Sequence, residues 1–328
     1  MTTEMLLVLG IASAVLSVSI SYFLVHRLEK FFTGIEFSVV GIGLLSALAA
    51  DTPEITSAVT AVIAKQPDIG VGVIIGSNIF NFAALLGLPV LLNKTVTFQR
   101  NTLFKLGLLA TTNALFAIFV GFHLLPGLIW FLLSILAMSV YVVFISDKRL
   151  SGNNRVNKIT QTQDHNLKSA EKSLNGRLSG KHFRVAILQI SVAVLLVISM
   201  SVIAEHSFAD LGHNLGLSQA IIGDIILAVI TSLPNAVAAL YLAKNVSGDA
   251  LISEAINSNT INVIAGILLP AAVFSSSATA LNSNFLLWLN MIILTGLMAT
   301  LYISKRITPK IAVVLILVYV GFVVYVAA

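Results

Sequence analysis

The chain has 328 residues, of which 57% are hydrophobic and 10% are charged, and its formal net charge is +5. Soluble domains are typically ~45–50% apolar and ~25% charged, so this composition excludes an ordinary soluble enzyme, a nucleic-acid-binding protein and a disordered chain. The absence of cysteine excludes disulfides, thiolate metal sites and thiol nucleophiles. The class that remains is an integral membrane protein with many spans.

Ten apolar runs recur along the chain, each long enough to cross the hydrocarbon core of a bilayer as an α-helix. They lie at residues 4–24, 36–64, 69–93, 103–122, 124–145, 183–204, 217–243, 249–275, 283–303 and 308–327. The short alternating segments typical of a membrane β-barrel are not found. The pattern predicts an all-α integral membrane protein with ten transmembrane helices; the alternative is that some runs form buried or re-entrant helices.

A hydrophilic stretch divides the ten predicted helices into two sets of five. Residues 146–182 are rich in Ser, Asn and Lys and contain few large apolar residues. Such a composition is typical of a flexible linker. We therefore expect one five-helix unit at 1–145, the linker at 146–182 and a second five-helix unit at 183–328.

The distribution of Lys and Arg predicts the orientation in the membrane. If the N-terminus lies outside, 18 of the 19 Lys and Arg residues fall on the cytoplasmic side, and only Lys65 falls outside. Because cytoplasmic loops carry the excess of Lys and Arg in membrane proteins, the reverse orientation would violate this rule almost completely. We expect a protein of the cell membrane with both termini outside and the 146–182 linker in the cytoplasm.

The two halves contain a local internal repeat. A shift of 181 residues places 67–84 on 248–265 and 51–58 on 232–239, and the identical positions concentrate on polar residues and proline. Chance similarity between apolar helices would fall on Leu, Ile and Val instead. Because each half has an odd number of predicted spans, the halves enter the membrane in opposite senses. That is the inverted-repeat plan of secondary transporters, whose substrate site lies near the midplane between the repeats.

Two carboxylates lie in the middle of the second apolar run. At membrane depth an ionised side chain costs at least ~2.5–3.5 kcal/mol, so Asp51 and Glu54 are expected to face a cavity or a partner. Their i, i+3 spacing puts both on one helix face. Pro53, between them, lacks an N–H and frees a backbone carbonyl near Ala49. Because hard cations prefer such oxygen ligands, the sequence predicts a cation site here.

Neutral polar side chains in three other runs are expected to complete this site. The further candidate metal ligands are Ser77, Asn81, Thr231, Ser232, Asn235, Ser258 and Asn262. Ser77 with Asn81, and Ser258 with Asn262, are i, i+4 pairs, so each pair presents two oxygens on one helix face. A single such residue more often stabilises helix packing, but a set matched in both repeats favours a binding site.

Four more acidic residues, in or directly before the runs that carry the polar motifs, have to be considered beside Asp51 and Glu54. Asp224 and Glu254 share helix faces with the candidate ligands of their own runs. Either carboxylate extends the ion path or lies at a helix end near water, and the sequence leaves both readings open. Asp68 and Asp249 lie at predicted helix N-termini, where a carboxylate typically caps the helix or complements its dipole.

The motifs resemble those of a known family. GSNIFN at 76–81, Pro-Glu at 53–54 and TSLPN at 231–235 are similar to the two signature repeats of the cation/calcium exchanger superfamily, especially its prokaryotic sodium/calcium exchangers. The resemblance implies a ten-helix bundle in which the second, third, seventh and eighth spans form the site. It also implies alternating access by sliding of the first and sixth spans.

The resemblance carries the family's ligand positions onto this chain, with three departures. Each of five family positions corresponds to one residue in each repeat. The glutamate position falls on Glu54 and Asn235, and the threonine position on Ala50 and Thr231. The first serine position falls on Asp51 and Ser232, the second on Ser77 and Ser258, and the Asn/Asp position on Asn81 and Asn262. Asn235 thus replaces a glutamate, Ala50 a threonine and Asp51 a serine. The site keeps two carboxylates, which suit a divalent cation. Both now lie in one repeat, and their repulsion favours proton coupling or a monovalent cation.

Three functions are therefore open, all on the same scaffold. The first is a secondary antiporter that exchanges Ca²⁺ or a related cation for Na⁺, the second a cation/proton exchanger, and the third a non-transporting divergent paralogue. An enzyme is the least favoured class, because no nucleophile–base set or phosphate-binding glycine loop is found. We expect the transported cations Ca²⁺ and Na⁺ (or H⁺) and the lipid bilayer as partners, with no cofactor and no nucleic acid.

Overall fold

The computed structural model describes residues 2–32, 44, 47–93, 95–146, 180–245, 248–274 and 284–328. Most of the predicted linker at 146–182 and the first part of the predicted span 36–64 lie outside the described residues. The first half contains α1 (Thr3–Phe32), α2 (Thr52–Ile63), α3 (Pro67–Asn81), a π-helical segment (Phe82–Gly87), α4 (Leu88–Asn93), β1 (Val96–Thr97), α5 (Arg100–Gly121) and α6 (Gly127–Ser146).

The second half has a similar order of elements. It contains α7 (Gly180–Asn214), a π-helical segment (Ile221–Leu227), α8 (Ala228–Asn245), α9 (Gly248–Asn262), a π-helical segment (Val263–Leu268), α10 (Leu269–Phe274), α11 (Asn284–Ser304), β2 (Arg306–Ile307) and α12 (Pro309–Ala327). In both halves a π-helical segment joins two α-helices end to end, so that each combined helix is longer than its α-helical parts.

Eight helices in the described part of the chain are long and apolar enough to cross a membrane. They cover Thr3–Leu24, Pro67–Leu92, Arg100–Gly121, Leu188–Asn214, Ile221–Leu240, Gly248–Phe274, Phe285–Ser304 and Pro309–Ala327. A shorter apolar helix covers Gly127–Val143, and the described part of the predicted second span forms the 12-residue α2. The predicted helical membrane architecture is therefore confirmed, while the count of ten spans remains a prediction.

Two helices extend beyond the apolar runs that predict them. The first and sixth runs end at residues 24 and 204, whereas α1 continues to Phe32 and α7 to Asn214. The additional residues include charged side chains, which lower the hydropathy without breaking the helix. Such a polar extension typically lies at the membrane–water interface, where water hydrates its side chains.

Two of the three π-helical segments occupy equivalent positions in the repeat. Phe82–Gly87 and Val263–Leu268 are related by the same 181-residue shift that relates the polar motifs, and they directly follow Asn81 and Asn262. Composition and periodicity give no indication of these segments. Single π-helical turns inside α-helices occur frequently at functional sites, and here each begins beside a candidate ligand.

The helices that carry the polar motifs are surrounded by the others. In the apolar window of Pro67–Leu92, 94% of the residues are buried, against 17% in Pro309–Ala327. An apolar helix that is buried on all sides lies in a core, whereas one with an exposed apolar face on a membrane protein faces lipid. The helix that contains α3 is therefore central, and α12 is peripheral.

Two glycines allow α3 to approach the segment Ile221–Leu227 closely. A Cβ atom placed on Gly72 would lie 2.2 Å from Asp224 Oδ1, and one on Gly76 would lie 2.1 Å from the Asp224 carbonyl oxygen. Small residues four positions apart are a common device for close helix packing in membranes. Only glycine fits at these two positions, because any side chain would overlap Asp224.

A two-stranded ribbon, which the sequence analysis did not predict, joins two loops. Val96 pairs with Ile307 and Thr97 with Arg306 in an antiparallel register. Beside it, the Arg100 guanidinium lies 4.4 Å from the centre of the Tyr302 ring, and Arg100 Nε donates to the Tyr302 carbonyl at 3.1 Å. The ribbon thus brings basic residues from both halves to one end of the molecule.

Candidate functional site

The site begins at a bend between residues 47–50 and α2. Asp51 lies at this bend and precedes the first turn of α2, in which Pro53 contributes no N–H. The Asp51 amide still donates to the Ala47 carbonyl at 2.8 Å, so the chain stays close to helical. Asp51 and Glu54 are both fully buried, and their side chains point to a common set of partners.

Glu54 accepts hydrogen bonds from three residues of the second half. Ser232 Oγ donates to Glu54 Oε1 at 2.5 Å, and Asn235 Nδ2 donates to the same oxygen at 2.9 Å. The other oxygen, Oε2, accepts from Asn262 Nδ2. The carboxylate is therefore held by neutral donors from α8 and α9, and it ties the first half of the chain to the second.

Asp51 shares one of these partners. Asn235 Nδ2 donates to Asp51 Oδ1 at 2.8 Å as well as to Glu54, so a single amide lies between the two carboxylates. Ser258 Oγ also donates to Asp51 Oδ1, at 2.6 Å. Asn235 thus reduces the repulsion between Asp51 and Glu54 by donating to both.

One further candidate, Asn81, completes a connected network. Asn81 Nδ2 donates to Ser258 Oγ at 3.1 Å, which links α3 to α9. Asn262 Nδ2 also donates to Asn78 Oδ1 at 3.2 Å. The structure thus places seven of the nine predicted ligands in one hydrogen-bonded network: Asp51, Glu54, Asn81, Ser232, Asn235, Ser258 and Asn262.

The other two predicted ligands direct their hydroxyl groups to backbone oxygens. Ser77 Oγ donates to the Ala228 carbonyl at 3.3 Å, and Thr231 Oγ1 donates to the Leu227 carbonyl at 2.9 Å. Both residues are buried beside the network. Their oxygen atoms retain lone pairs, but no hydrogen bond of either side chain reaches the carboxylates in the described part of the chain.

The sequence analysis missed Asn78 and Asn259 as members of the site. Asn78 contacts Asn262 directly, and Asn78 and Asn259 also bond to each other's backbone. The repeat itself carried the signal, since these asparagines are identical under the 181-residue shift. The i, i+4 spacing had selected Ser77 and Asn81 as one face of α3, and Asn78 lies outside that face.

Several buried oxygens of the network have no hydrogen-bond donor among the described residues. They are Asp51 Oδ2, Asn81 Oδ1, Asn235 Oδ1 and Asn262 Oδ1. No Lys or Arg is buried in that part of the chain, and no group of three His, Cys, Asp or Glu residues is found there. The site therefore consists of two carboxylates, amides and hydroxyls, an oxygen-rich set that suits a hard cation.

The two acidic residues whose role the sequence left open are both buried. Glu254 lies within α9. Asp224 lies in the π-helical segment before α8, against Gly72 of α3, and its Oδ2 atom has no hydrogen-bond donor among the described residues. Asp224 is therefore a buried carboxylate with an unpaired oxygen that lies outside the Asp51–Glu54 network.

The fold and this site define a class of protein: a multi-pass helical membrane protein with a buried, oxygen-rich polar centre. The chain belongs to the sodium/calcium exchanger protein family, whose sequence pattern matches residues 5–146 and 185–328. The matched residues include every member of the network.

Individual relatives agree with this assignment. The chain is 24% identical to the inner membrane protein YrbG of Escherichia coli (strain K12) over 272 residues, which cover 82% of this chain and 79% of that protein. Its fold is similar to the crystal structure of the H⁺/Ca²⁺ exchanger CAX, with a TM-score of 0.71, 16% identity, and coverage of 96% of this chain and 81% of that one. A structure of the sodium-calcium exchanger NCX_Mj gives a TM-score of 0.64 with 19% identity, over 95% of this chain and 97% of that one.

Proposed function

We propose that this protein is a secondary antiporter that exchanges Ca²⁺ or a related cation for Na⁺. The observation that carries the proposal is the pair of fully buried carboxylates, Asp51 and Glu54, which have only neutral hydrogen-bond donors and no buried Lys or Arg beside them in the described residues. A buried charge is costly unless an opposite charge accompanies it. A bound cation supplies that charge, so the site favours cation binding.

The network offers enough oxygens for such an ion. Ca²⁺ takes about six to eight oxygen ligands from carboxylates, carbonyls and amides. An asparagine that donates its NH₂ group to a carboxylate can present its oxygen instead after a half-turn of the amide. In this proposal Asn81, Asn235 and Asn262 turn their oxygens to the cation when it enters, and the buried hydroxyls of Ser77 and Thr231 turn from the backbone carbonyls to join them.

Alternating access is proposed to involve α1 and α7. These two helices form the most extensive helix–helix contact in the structure, and Ser17 Oγ and Ser201 Oγ lie 3.0 Å apart between them. α7 also packs on α2, which carries Glu54, and α1 packs on α8, which carries hydrogen-bond donors to it. The pair therefore borders the site from both halves of the chain. Sliding of this pair across the other helices of the two units would open the site to each side of the membrane in turn.

One observation favours a second candidate, cation/proton exchange. Asp51 and Glu54 both accept from the same Asn235 nitrogen, so their charges lie close together. Uptake of one proton relieves the repulsion between neighbouring carboxylates. With a proton on either residue the site carries one negative charge, and a proton can then replace a cation as the coupled ion.

Tracer Ca²⁺ uptake into proteoliposomes tests these proposals. The comparison needs an outward Na⁺ gradient, an outward H⁺ gradient and no gradient, with Glu54→Gln as the inactive control. Uptake driven by Na⁺ alone supports the sodium/calcium antiporter, and uptake driven by H⁺ alone supports the second candidate. Saturable Ca²⁺ binding without flux under any gradient would contradict both and favour a non-transporting protein.

A further inference from the structure

Asp224 is a buried carboxylate that the proposed exchange site does not use. Its side chain is 1% exposed, and its Oδ2 atom has no hydrogen-bond donor among the described residues. Burial of a charged acceptor without a partner is costly, and native structures satisfy the great majority of such atoms. This carboxylate therefore lacks a partner that carries a proton donor or a positive charge.

A second carboxylate lies close to Asp224 on α3. Asp224 contacts the backbone of Gly72, which lies one helical turn after Asp68 on the same face. The backbone of Gly223 also packs against that of Ile69, the residue after Asp68, so the two carboxylates lie near each other and their like charges repel. Asp68 is partly exposed, and its Oδ1 atom also has no donor. The two side chains thus form a pair that reaches from the surface to a buried oxygen.

The equivalent aspartate of the second repeat behaves differently. Asp249, which the 181-residue shift places on Asp68, accepts a hydrogen bond at Oδ1 from the Gln99 backbone amide at 2.8 Å. Asp249 thus has a structural role at its helix start, and Asp68 has no such donor. Gln66, two residues before Asp68, is directed elsewhere, since its Nε2 atom lies 3.4 Å from His213 Nε2.

The electrostatic balance at this position is negative. The N-terminus of α3 contributes a helix dipole equivalent to roughly +0.5 of an elementary charge. Two ionised carboxylates outweigh that partial charge together with the single charge of Lys65, the exposed residue three positions before Asp68. Neither carboxylate belongs to an ion pair among the described residues. Unpaired acceptor oxygens with a net negative charge favour a hard cation over an anion or a neutral ligand.

We infer that Asp68 and Asp224 bind a hard cation at the α2–α3 end of the molecule. Two carboxylates give a low ligand charge, and the pair is open to solvent on the Asp68 side. Sites of this kind bind Ca²⁺ with dissociation constants on the order of 10⁻⁴–10⁻³ M. The site is suited to collecting cations at one mouth of the protein and exchanging them quickly with solvent.

This site is separate from the Asp51–Glu54 network. Asp224 lies 11 residues before Asn235 in the chain, which corresponds to roughly 16 Å along a helix. No hydrogen bond joins the Asp224 side chain to a member of the network in the described part of the chain. The inference therefore does not depend on the proposed exchange, and binding tests it without any measurement of transport.

Equilibrium binding of radioactive Ca²⁺ to the purified full-length protein is the test. In an Asp51→Asn/Glu54→Gln background, which removes both charges of the central site, saturable binding of one Ca²⁺ per chain should remain. Addition of Asp224→Asn or Asp68→Asn should weaken it at least about tenfold, because ligand charge sets the affinity. Addition of Asp249→Asn, the matched control, should leave it unchanged. Equal Ca²⁺ binding by the Asp224→Asn and Asp249→Asn variants would overturn the inference. It would also be overturned if the Asp51→Asn/Glu54→Gln protein showed no saturable Ca²⁺ binding.

A second measurement uses the protein with Asp51 and Glu54 intact, and it tests the inference even if the Asp51→Asn/Glu54→Gln variant does not fold. Folding is checked by a single symmetric peak in size-exclusion chromatography. In the otherwise unchanged protein, Asp68→Asn should reduce the bound Ca²⁺ from two ions per chain to one. Asp68 is partly exposed, so this substitution is tolerated by the fold. A stoichiometry that stays the same in Asp68→Asn and in the unchanged protein would overturn the inference.

Discussion

Asn78 and Asn259 exchange hydrogen bonds across the contact between α3 and α9. Asn78 Nδ2 donates to the Asn259 carbonyl at 3.4 Å, and Asn259 Nδ2 donates to the Asn78 carbonyl at 3.2 Å. The two residues are 181 positions apart, the shift that relates the motifs of the two halves. A reciprocal contact between equivalent residues is the pattern that a local twofold axis produces. The polar network lies around this contact.

We predict that Asn78→Ala and Asn259→Ala each lower the stability of the protein by about 1–3 kcal/mol, because each removes a buried hydrogen bond and leaves space. The double variant should lose less than the sum of the two, since each residue is the partner of the other. Thermal unfolding in detergent measures both effects. Asn101→Ala, at an exposed position of α5, is the matched control and should unfold like the unchanged protein. Strict additivity would contradict the reciprocal contact.

Removal of the Glu54 charge should abolish coupled cation flux while the protein still folds. Glu54→Gln keeps the size of the side chain and removes one of the two charges that the proposed cation neutralises. Tracer Ca²⁺ uptake should fall to the level of empty liposomes. Glu205→Gln is the matched control, because Glu205 is an equally buried carboxylate, on α7 and outside the hydrogen-bonded network. Normal flux in Glu54→Gln would show that the site is misassigned.

Two substitutions can move one carboxylate of the site from the first repeat to the second. Asp51→Ser with Asn235→Glu restores the pattern that the family resemblance implies, with one carboxylate from each repeat. We expect the double variant to bind Ca²⁺, because it keeps two carboxylates. Each single variant should have a Ca²⁺ affinity different from that of the double variant, because Asp51→Ser leaves one carboxylate and Asn235→Glu creates three. The non-additivity in a double-mutant cycle should exceed about 1 kcal/mol for residues in direct contact. Additive effects on Ca²⁺ affinity would contradict the shared role of these positions.

The polar motifs were enough to predict most members of the network. Asp51 and Glu54 were predictable from their position in an apolar run, and the residues of α8 and α9 from the repeat. The orientation of Ser77 and Thr231 was not predictable, because a buried hydroxyl chooses between side-chain partners and backbone carbonyls within reach. Asn78 was missed because α3 is buried on every side, so that more than one face of this helix contacts protein.

Hydropathy was enough to predict which segments form helices, but not the features of the fold that depend on local backbone geometry. Apolar runs identified the helices, but charged residues at the ends of α1 and α7 hid their true lengths. The π-helical segments differ from α-helix by a change in hydrogen-bond spacing that leaves composition unaltered. The β1–β2 ribbon has two residues in each strand, too few for an alternating pattern.

The close packing of α3 on the segment before α8 should make Gly76 sensitive to substitution. A Cβ atom at Gly76 would lie 2.1 Å from the Asp224 carbonyl oxygen and 2.7 Å from Ala228 Cβ, so the backbones must separate. Gly76→Ala should destabilise the protein by at least about 1–3 kcal/mol, the usual cost of overpacking. Gly296→Ala is the control, because no atom lies within 4 Å of the added Cβ. It should be neutral or stabilise by about 0.4–1 kcal/mol. Equal unfolding temperatures for the two variants would contradict this packing.

The orientation can be tested with single cysteines, because the chain contains none. Ala64 at the end of α2 and Thr95 before β1 are both exposed. Thr95 follows Lys94 and lies near Arg100, in a loop that the positive-inside rule assigns to the cytoplasm, whereas Ala64 adjoins Lys65, the one basic residue predicted outside. Ala64→Cys should therefore react with a membrane-impermeant maleimide on intact cells, and Thr95→Cys should react only after permeabilisation. The reverse pattern would invert the proposed orientation and place the Asp68–Asp224 pair at the cytoplasmic mouth.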